Sequence, residues 1–281
     1  MREWRKRMKQ GVYAAVKKNG TLYYRSSITF QNKHISLGSY PTEDDAARAY
    51  TQADTILHDP AYSLDSYLSF PDKNRNNEQN SPVLPFPKWV TLINFRDNGI
   101  YIKTPIYLRK NYFHYYFSPD DYYTFDVDDL FYYSTHSIIR RGGHLFVSDY
   151  GMQINILSRY GIKNYGVAGR DFLFVNGDKR DFRYENIEII NRYHGVFCKQ
   201  HKGKTIYEAR IHLRGEFIVG RYATEIEAAV AYNKAASALI RKGYDKRFPV
   251  NYLEELSSEE YKSCFKQIQI SKKIQALRPR E

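Results

Sequence analysis

Gly38-Ser39-Tyr40-Pro41-Thr42-Glu43-Asp44-Asp45-Ala46-Ala47-Arg48-Ala49-Tyr50-Thr51-Gln52-Ala53 returns near the other end of the chain. There it reads Gly220-Arg221-Tyr222-Ala223-Thr224-Glu225-Ile226-Glu227-Ala228-Ala229-Val230-Ala231-Tyr232-Asn233-Lys234-Ala235. With Leu57 and Leu239 included, ten of the twenty positions 38–57 are identical at an offset of 182. An internal repeat of this quality means the same supersecondary unit is built twice. Upstream, Tyr24 and Ile28 match Tyr207 and Ile211 at an offset of 183, and Gly11-Val12 match Gly195-Val196 at 184. Each step in the offset is a single-residue change where a hairpin turn belongs, which a fold tolerates.

The second copy reads most clearly. Tyr207, Ala209, Ile211 and Leu213 alternate with Glu208, Arg210, His212 and Arg214, so one strand face is apolar and the other charged. Lys202-Gly203-Lys204 and Arg214-Gly215-Glu216 are turn signals, which predicts strands near 195–201, 205–213 and 216–222. Thr224 and Glu227 have capping-box spacing, and Ala228, Tyr232, Ala235 and Leu239 form one helical stripe. In the first copy Thr42 and Asp45 stand at the cap, and Ala46, Tyr50, Ala53 and Leu57 form the stripe. The small Ala positions let each helix lie close to its sheet. The class expected is α+β: two three-stranded antiparallel sheet-plus-helix modules flanking a different α+β middle, with a C-terminal helix. The boundaries expected are 1–62, a linker at 63–87, a middle domain at 88–192, the second module at 193–252 and a basic C-terminal helix at 253–281.

Composition narrows function. The chain has 281 residues, 43 Lys plus Arg against 31 Asp plus Glu (net +12), with 27 Tyr and 16 Phe. Cations meet phosphates and rings stack on bases, so this balance leans toward nucleic acid. No apolar run approaches the roughly 18 residues a membrane helix needs. Cys198 and Cys264 lie far apart without a CxxC, which argues against a disulfide scaffold or cysteine zinc site and fits a reducing cytoplasm. The first ten residues lead into no apolar stretch, so no secretory signal is expected. A cytoplasmic, nucleoid-associated location is therefore expected.

Gly-Val, three short strands, the Leu37-Gly38-Ser39-Tyr40-Pro41-Thr42-Glu43 turn and the Ala-Ala-x-Ala-Tyr-x-x-Ala helix resemble the plant ethylene-response-factor or APETALA-two DNA-binding domain. Both copies match over about 50 residues. Bacterial and phage relatives of that domain accompany HNH homing endonucleases. The resemblance implies that the sheet enters the major groove of double-stranded DNA while the helix supports it from behind. The implied groove-facing side chains are Tyr13, Lys17, Arg25, Ser27, Thr29, Lys33 and His34 in copy one. In copy two they are Phe197, Lys199, His201, Arg210, His212 and Arg214. The plant domains carry Arg at several of the positions where Tyr13, Ala15 and Phe197 stand, and the plant Trp before strand two is missing, so base preference does not transfer. Arg210, His212 and Arg214, spaced two apart, lead to the expectation that copy two carries specificity. Copy one, with Ser27, Thr29 and Gln31 in the equivalent places, is then expected to act as a clamp.

Between the copies, residues 70–87 hold four Pro and four Asn and read as an exposed linker. Ile100–Leu108, Tyr112–Phe117 and Tyr122–Phe125 read as aromatic strands, and Asp128–Ser134 is ambiguous. Val175-Asn176-Gly177-Asp178-Lys179-Arg180-Asp181-Phe182-Arg183-Tyr184-Glu185-Asn186-Ile187 resembles an HNH nuclease motif. In such enzymes one His activates water and another His or an Asn holds the divalent metal that neutralises the scissile phosphate. Here Leu173-Phe174 stand in place of Asp-His, and Gln153 aligns with the other essential His. Without an imidazole at 174, nothing there takes a proton or a metal near neutral pH. Asn186 and Asp178 remain and are expected to order the loop. No catalytic residue, metal site or cofactor is therefore expected. The alternative is a metal-dependent endonuclease with relocated ligands, using His136 or His144, with Asp171 a weak further candidate; His114 is the third His of this region. Arg140-Arg141-Gly142-Gly143 reads as a basic turn suited to a phosphate rather than as a nucleotide loop. Asp120, Asp121, Asp126, Asp128 and Asp129 read as a solvated acidic run.

At the C-terminus, Ser257 and Glu260 have capping-box spacing, and Tyr261, Phe265 and Ile268 share a face opposite Lys262, Lys266, Lys272 and Lys273. That helix is suited to packing on the second repeat, joining two protomers or tracking DNA. The N-terminal Arg2, Arg5, Lys6, Arg7 and Lys9 form either a phosphate-contacting arm or a solubilising tail. The function expected is sequence-specific duplex binding by a bacterial or phage transcriptional regulator descended from a homing-endonuclease architecture.

Overall fold

A computed structural model describes residues 8–69, 82–149, 151–163 and 166–279. Arg2, Arg5, Lys6 and Arg7 of the basic arm, and positions 70–81 of the expected linker, lie outside the described residues. The class is mixed α+β, with several small three-stranded antiparallel sheets. No described helix is long and apolar enough to cross a membrane.

The first module is β1 (Val12–Val16), β2 (Leu22–Phe30), β3 (Lys33–Tyr40) and α1 (Glu43–His58). The strands form an antiparallel meander. Thr42 caps α1 by accepting the Asp45 N–H. Ala46, Ala49 and Ala53 are fully buried, together with Ile56, Ile28, Ile35 and Leu37, where small residues allow close helix–sheet approach.

The second module repeats the plan in β12 (Val196–His201), β13 (Lys204–His212), β14 (Glu216–Tyr222) and α4 (Glu225–Arg241). Both halves of the capping box form: the Glu227 N–H donates to Thr224, and the Thr224 N–H donates to the Glu227 carboxylate. A register shift follows Ala209 in β13 and the equivalent Ser26 in β2, so even the irregularity is repeated.

The chain packs as two compact units. One is Met1–Gln153 with Lys179–Tyr184, and the other is Ile154–Asp178 with Glu185–Glu281. Their boundary falls inside residues 88–192, the span read from sequence as one middle domain.

In the first unit the expected linker is folded at its C-terminal end. Helix α2 (Phe86–Asn98) starts with Pro85 as N-cap and Pro87 in its first turn, positions where a missing N–H costs nothing. Leu84, Trp89, Val90, Leu92 and Ile93 join the core of the first module, and the Gln52 side-chain oxygen accepts the Val83 and Leu84 N–H groups. The expected strand 100–108 shortens to β4 (Ile106–Leu108), which pairs with β5 (Tyr112–Ser118); β6 (Asp121–Asp126) completes the sheet. Residues 127–135 form a helical turn and α3 (Leu130–Thr135). Hairpin β7 (Ile138–Arg141) and β8 (His144–Asp149) follows, then β9 (Met152–Asn155). Asp181 bridges to Thr124 on β6, and Phe182 stacks on Phe125 with 5.6 Å between ring centroids.

In the second unit, β10 (Phe172–Phe174) and β11 (Ile187–Ile189) form a two-stranded ribbon. The HNH-like stretch is thus divided between the units. At the C-terminus the expected single helix is two, α5 (Ser258–Gln267) and α6 (Lys272–Ala276), separated by an extended segment. Ile270 and Ile274 are buried in the module core, and the Ser271 N–H donates to the Val219 carbonyl at 2.7 Å. Of the three roles open from sequence, this segment takes the first: it packs on the second repeat.

Candidate nucleic-acid interface

Each module presents a sheet face opposite its helix. In copy one, Tyr13, Arg25 and Ser39 form one row across it. Tyr23, two residues before Arg25 on the same face, organises the cations. Its hydroxyl accepts from Arg25 Nη2 at 2.7 Å, and its ring lies 5.5 Å from the Arg25 guanidinium and 5.9 Å from Lys17 Nζ. Lys17 sits in the turn that follows β1, and its N–H donates to the Thr21 carbonyl. Among the described residues Arg25 and Lys17 have no carboxylate partner, so both charges stand uncompensated at the surface. Thr29 and His34, paired across the strands, are exposed.

Two expected residues leave the set. Ser27 has the outward register but is buried, 8% exposed, and its short side chain does not reach beyond its neighbours. Lys33 pairs with Phe30, whose ring packs on Phe95, so Lys33 belongs to the core side of the sheet, 5.2 Å above the Tyr101 ring.

Copy two is organised around an acid. Glu208 stands between Phe197 and Arg221 across the sheet. Its side chain is 1% exposed because Lys199, Arg210 and Arg221 close over it at 2.7, 2.7 and 2.9 Å. Burial alone pushes this carboxyl up, but the hydrogen bonds from Lys199, Arg210 and Arg221 win and hold it at about 2. Arg210 also binds Glu216 at 2.8 Å, and its guanidinium lies 5.3 Å from the Phe197 ring. The same ring has Lys163 Nζ at 5.6 Å and the Arg170 guanidinium at 5.9 Å. His201 and His212 are exposed at strand ends. Arg214 lies in the turn after β13 rather than on the strand, which corrects the expected Arg210-His212-Arg214 comb.

Sequence reasoning placed Arg25, Lys17, Thr29, Lys199, Arg210 and His212 on or beside these faces. It missed Tyr23, Arg221 and Arg170, and it saw Glu208 only as one charge among several. Val219 is buried, so plain alternation would turn Arg221 inward; the register shift that skips Val219 brings it outward, opposite Glu208. Nothing local reveals that three cations converge on Glu208.

The HNH-like loop holds itself together. The Asn186 side chain, 3% exposed, accepts the Asn176 N–H at 2.7 Å, and Asn176 accepts the Asp178 N–H at 2.8 Å. Leu173 and Phe174 lie on β10. Asp171, the weak metal candidate, is fully buried and paired with Lys163 and Arg170, both at 2.8 Å. Desolvation raises its carboxyl, yet Arg170, Lys163 and the Val167 N–H outweigh this and leave it lowered. His136 stacks on Tyr132 at 4.4 Å, and His144 is exposed on its hairpin. Among the described residues, no three His, Cys, Asp or Glu side chains converge as a metal site would require.

Comparison with protein-family models, with curated proteins and with solved structures finds no match.

Proposed function

We propose that this protein binds double-stranded DNA sequence-specifically through the outward sheet faces of its two repeated modules, acting as a transcriptional regulator descended from a homing-endonuclease architecture. The observation that carries the reading is the repeated face itself. On both copies the side opposite the helix holds cations at an aromatic ring, Lys17 and Arg25 on Tyr23 in copy one, and Arg210 on Phe197 in copy two, where Arg170 of the preceding segment joins it. Cations held at a sheet surface suit phosphates and guanine edges, and a two- or three-stranded sheet fits the major groove. Two modules on one chain raise each other's effective concentration, so tandem binding can exceed either alone by ~10²–10⁴.

Selection of bound sequences from a random duplex pool, followed by anisotropy titration at several salt concentrations, tests the proposal. A composite site and a steep fall of log K with log salt are expected. An unenriched pool sinks the sequence-specific part, and a flat salt dependence sinks the electrostatic part. Incubation of the same preparation with supercoiled plasmid and Mg²⁺ or Mn²⁺ separates this reading from an endonuclease with relocated ligands. Intact plasmid is the outcome expected.

A further inference from the structure

The β4–β5–β6 sheet of the first unit carries a second aromatic and basic surface that the paired modules do not use. Tyr112, His114 and Tyr116 alternate along β5, so they share one face, and cross-strand pairing adds Tyr107 beside His114 and Tyr122 beside Tyr116. The opposite face is the dry one, where Phe113 and Phe125 are fully buried against Tyr133. On the first face the rings touch in series. His114 lies 5.2 Å from Tyr112 and 4.7 Å from Tyr122, and Tyr122 lies 5.1 Å from Tyr116. Helix α2 covers the end at Tyr116, which is buried against Phe86, and the β4 edge, where the Tyr107 hydroxyl donates to Asp97 at 3.0 Å; the strip of Tyr112, His114 and Tyr122 is left partly open. Tyr122 remains 37% exposed, and Tyr112 and His114 are half-buried.

Two guanidiniums flank the open end. Arg109 lies 4.5 Å from the Tyr107 ring centroid, and Arg183, paired with Asp181, lies 5.6 Å from that of Tyr112. Arg109 is exposed and, among the described residues, has no carboxylate partner, with exposed Lys110 beside it. Burial first, and Arg109 second, hold the His114 imidazole down at about 4, so at neutral pH it is an uncharged ring rather than a competing cation.

A row of half-open rings with an uncompensated guanidinium at its edge has one ligand chemistry that uses both parts. Unpaired bases stack on the rings while a phosphate between them meets Arg109. We propose that this face binds a short stretch of single-stranded nucleic acid, with a base stacked on Tyr122 and a phosphate further along the same strand at Arg109. The site rests on residues of β4–β6 and not on the duplex-binding reading of the repeats.

Fluorescence anisotropy of the full chain with labelled oligo-dT and oligo-rU tests it and decides between a DNA and an RNA strand. Tyr122→Ala and Arg109→Ala should each weaken binding of the preferred strand about tenfold, while Tyr122→Phe, which keeps the ring, should bind like the parent. Lys17→Ala/Arg25→Ala should lower duplex affinity and leave oligonucleotide affinity unchanged. Equal oligonucleotide affinity for the parent, Tyr122→Ala and Arg109→Ala overturns the proposal, because the binding would then be diffuse attraction to a chain of net charge +12. So would an oligonucleotide affinity that falls with Lys17→Ala/Arg25→Ala but not with Tyr122→Ala.

Discussion

A Cβ on Gly195 would lie 2.3 Å from Cδ2 of Tyr232, so the helix tyrosine of the second module fills the space any side chain there would need. Gly195 has φ +68, and its carbonyl accepts the Arg210 N–H at 2.7 Å. Gly11 repeats the arrangement against Tyr50, with φ +68 and a 2.0 Å approach. Backbone, strand two and helix are therefore locked at one point in each copy. Gly195→Ala combines left-handed strain with a steric clash and should cost about 2–4 kcal/mol. The urea midpoint of the variant should fall accordingly. An unchanged midpoint would mean that α4 repacks freely, against the close fit described.

The acid at the centre of the second face gives stability a defined pH dependence. Glu208 is held at about 2, below its ordinary 4.5. A carboxyl depressed in the folded state contributes stability that is fully present above the unfolded value. That contribution disappears as pH falls through the folded value, here between about 4.5 and about 2. Because the side chain is almost fully covered, the contribution is on the order of 3 kcal/mol. Glu208→Gln should lower stability at pH 7 by roughly that amount and flatten its decline in the same window. Urea midpoints of both proteins measured from pH 7 to pH 2 read this directly, and parallel curves would show that the three cations do not hold the carboxylate.

What was legible in the sequence is what depends on local spacing. Thr224 and Glu227 announce the capping box, the Ala positions the close helix, and Gly-Val the start of strand one. The hidden parts depend on partners distant in sequence. Helix α2 begins in a proline-rich stretch that reads as linker, and only the packing around Trp89 and Leu84 shows that its end, from Val83 on, folds. Lys33 and His34 are adjacent basic residues, and only the pairing of Lys33 with Phe30 assigns it to the core side. Glu208 reads as solvated until Lys199 and Arg221 arrive from neighbouring strands. The break after Gln267 has the same origin, because the Ser271 N–H donates to the Val219 carbonyl on β14, a bond that a continuous helix would have spent on its own backbone.

That C-terminal segment should open locally before the module unfolds. Ile274 is fully buried, while α6 is five residues long and α5 has no buried residue. Ile274→Ala removes the main apolar anchor, and a cost of about 2 kcal/mol corresponds to roughly thirtyfold faster opening. The Ser271 amide, bonded to Val219, is the reporter. Its hydrogen exchange should accelerate by that factor while amides of β13 stay protected. Equal acceleration in β13 would mean that the segment and the sheet unfold as one.

The two faces should contribute unequally to duplex affinity, in the opposite order to the one the strand pattern suggests. Arg210 binds Glu208 and Glu216 and is 29% exposed, so reaching a base requires it to release carboxylates already at hydrogen-bond distance. Among the described residues, the Arg25 guanidinium makes the hydroxyl and ring contacts of Tyr23 and the Lys17 ammonium the ring contact, and neither meets a carboxylate, so both can meet phosphates. Lys17→Ala/Arg25→Ala should therefore lower affinity for a selected duplex about tenfold or more and reduce the magnitude of the salt slope by about 2, one for each phosphate no longer neutralised. Arg210→Ala should cost less, since Lys199 and Arg221 still cover Glu208. Glu208→Gln should raise affinity by releasing three cations to the groove. Titration of the parent and these three variants against one duplex, at roughly 50–200 mM salt, decides the order. If Arg210→Ala loses as much as the Lys17/Arg25 pair, the carboxylate does not restrain Arg210, and copy two carries the recognition after all.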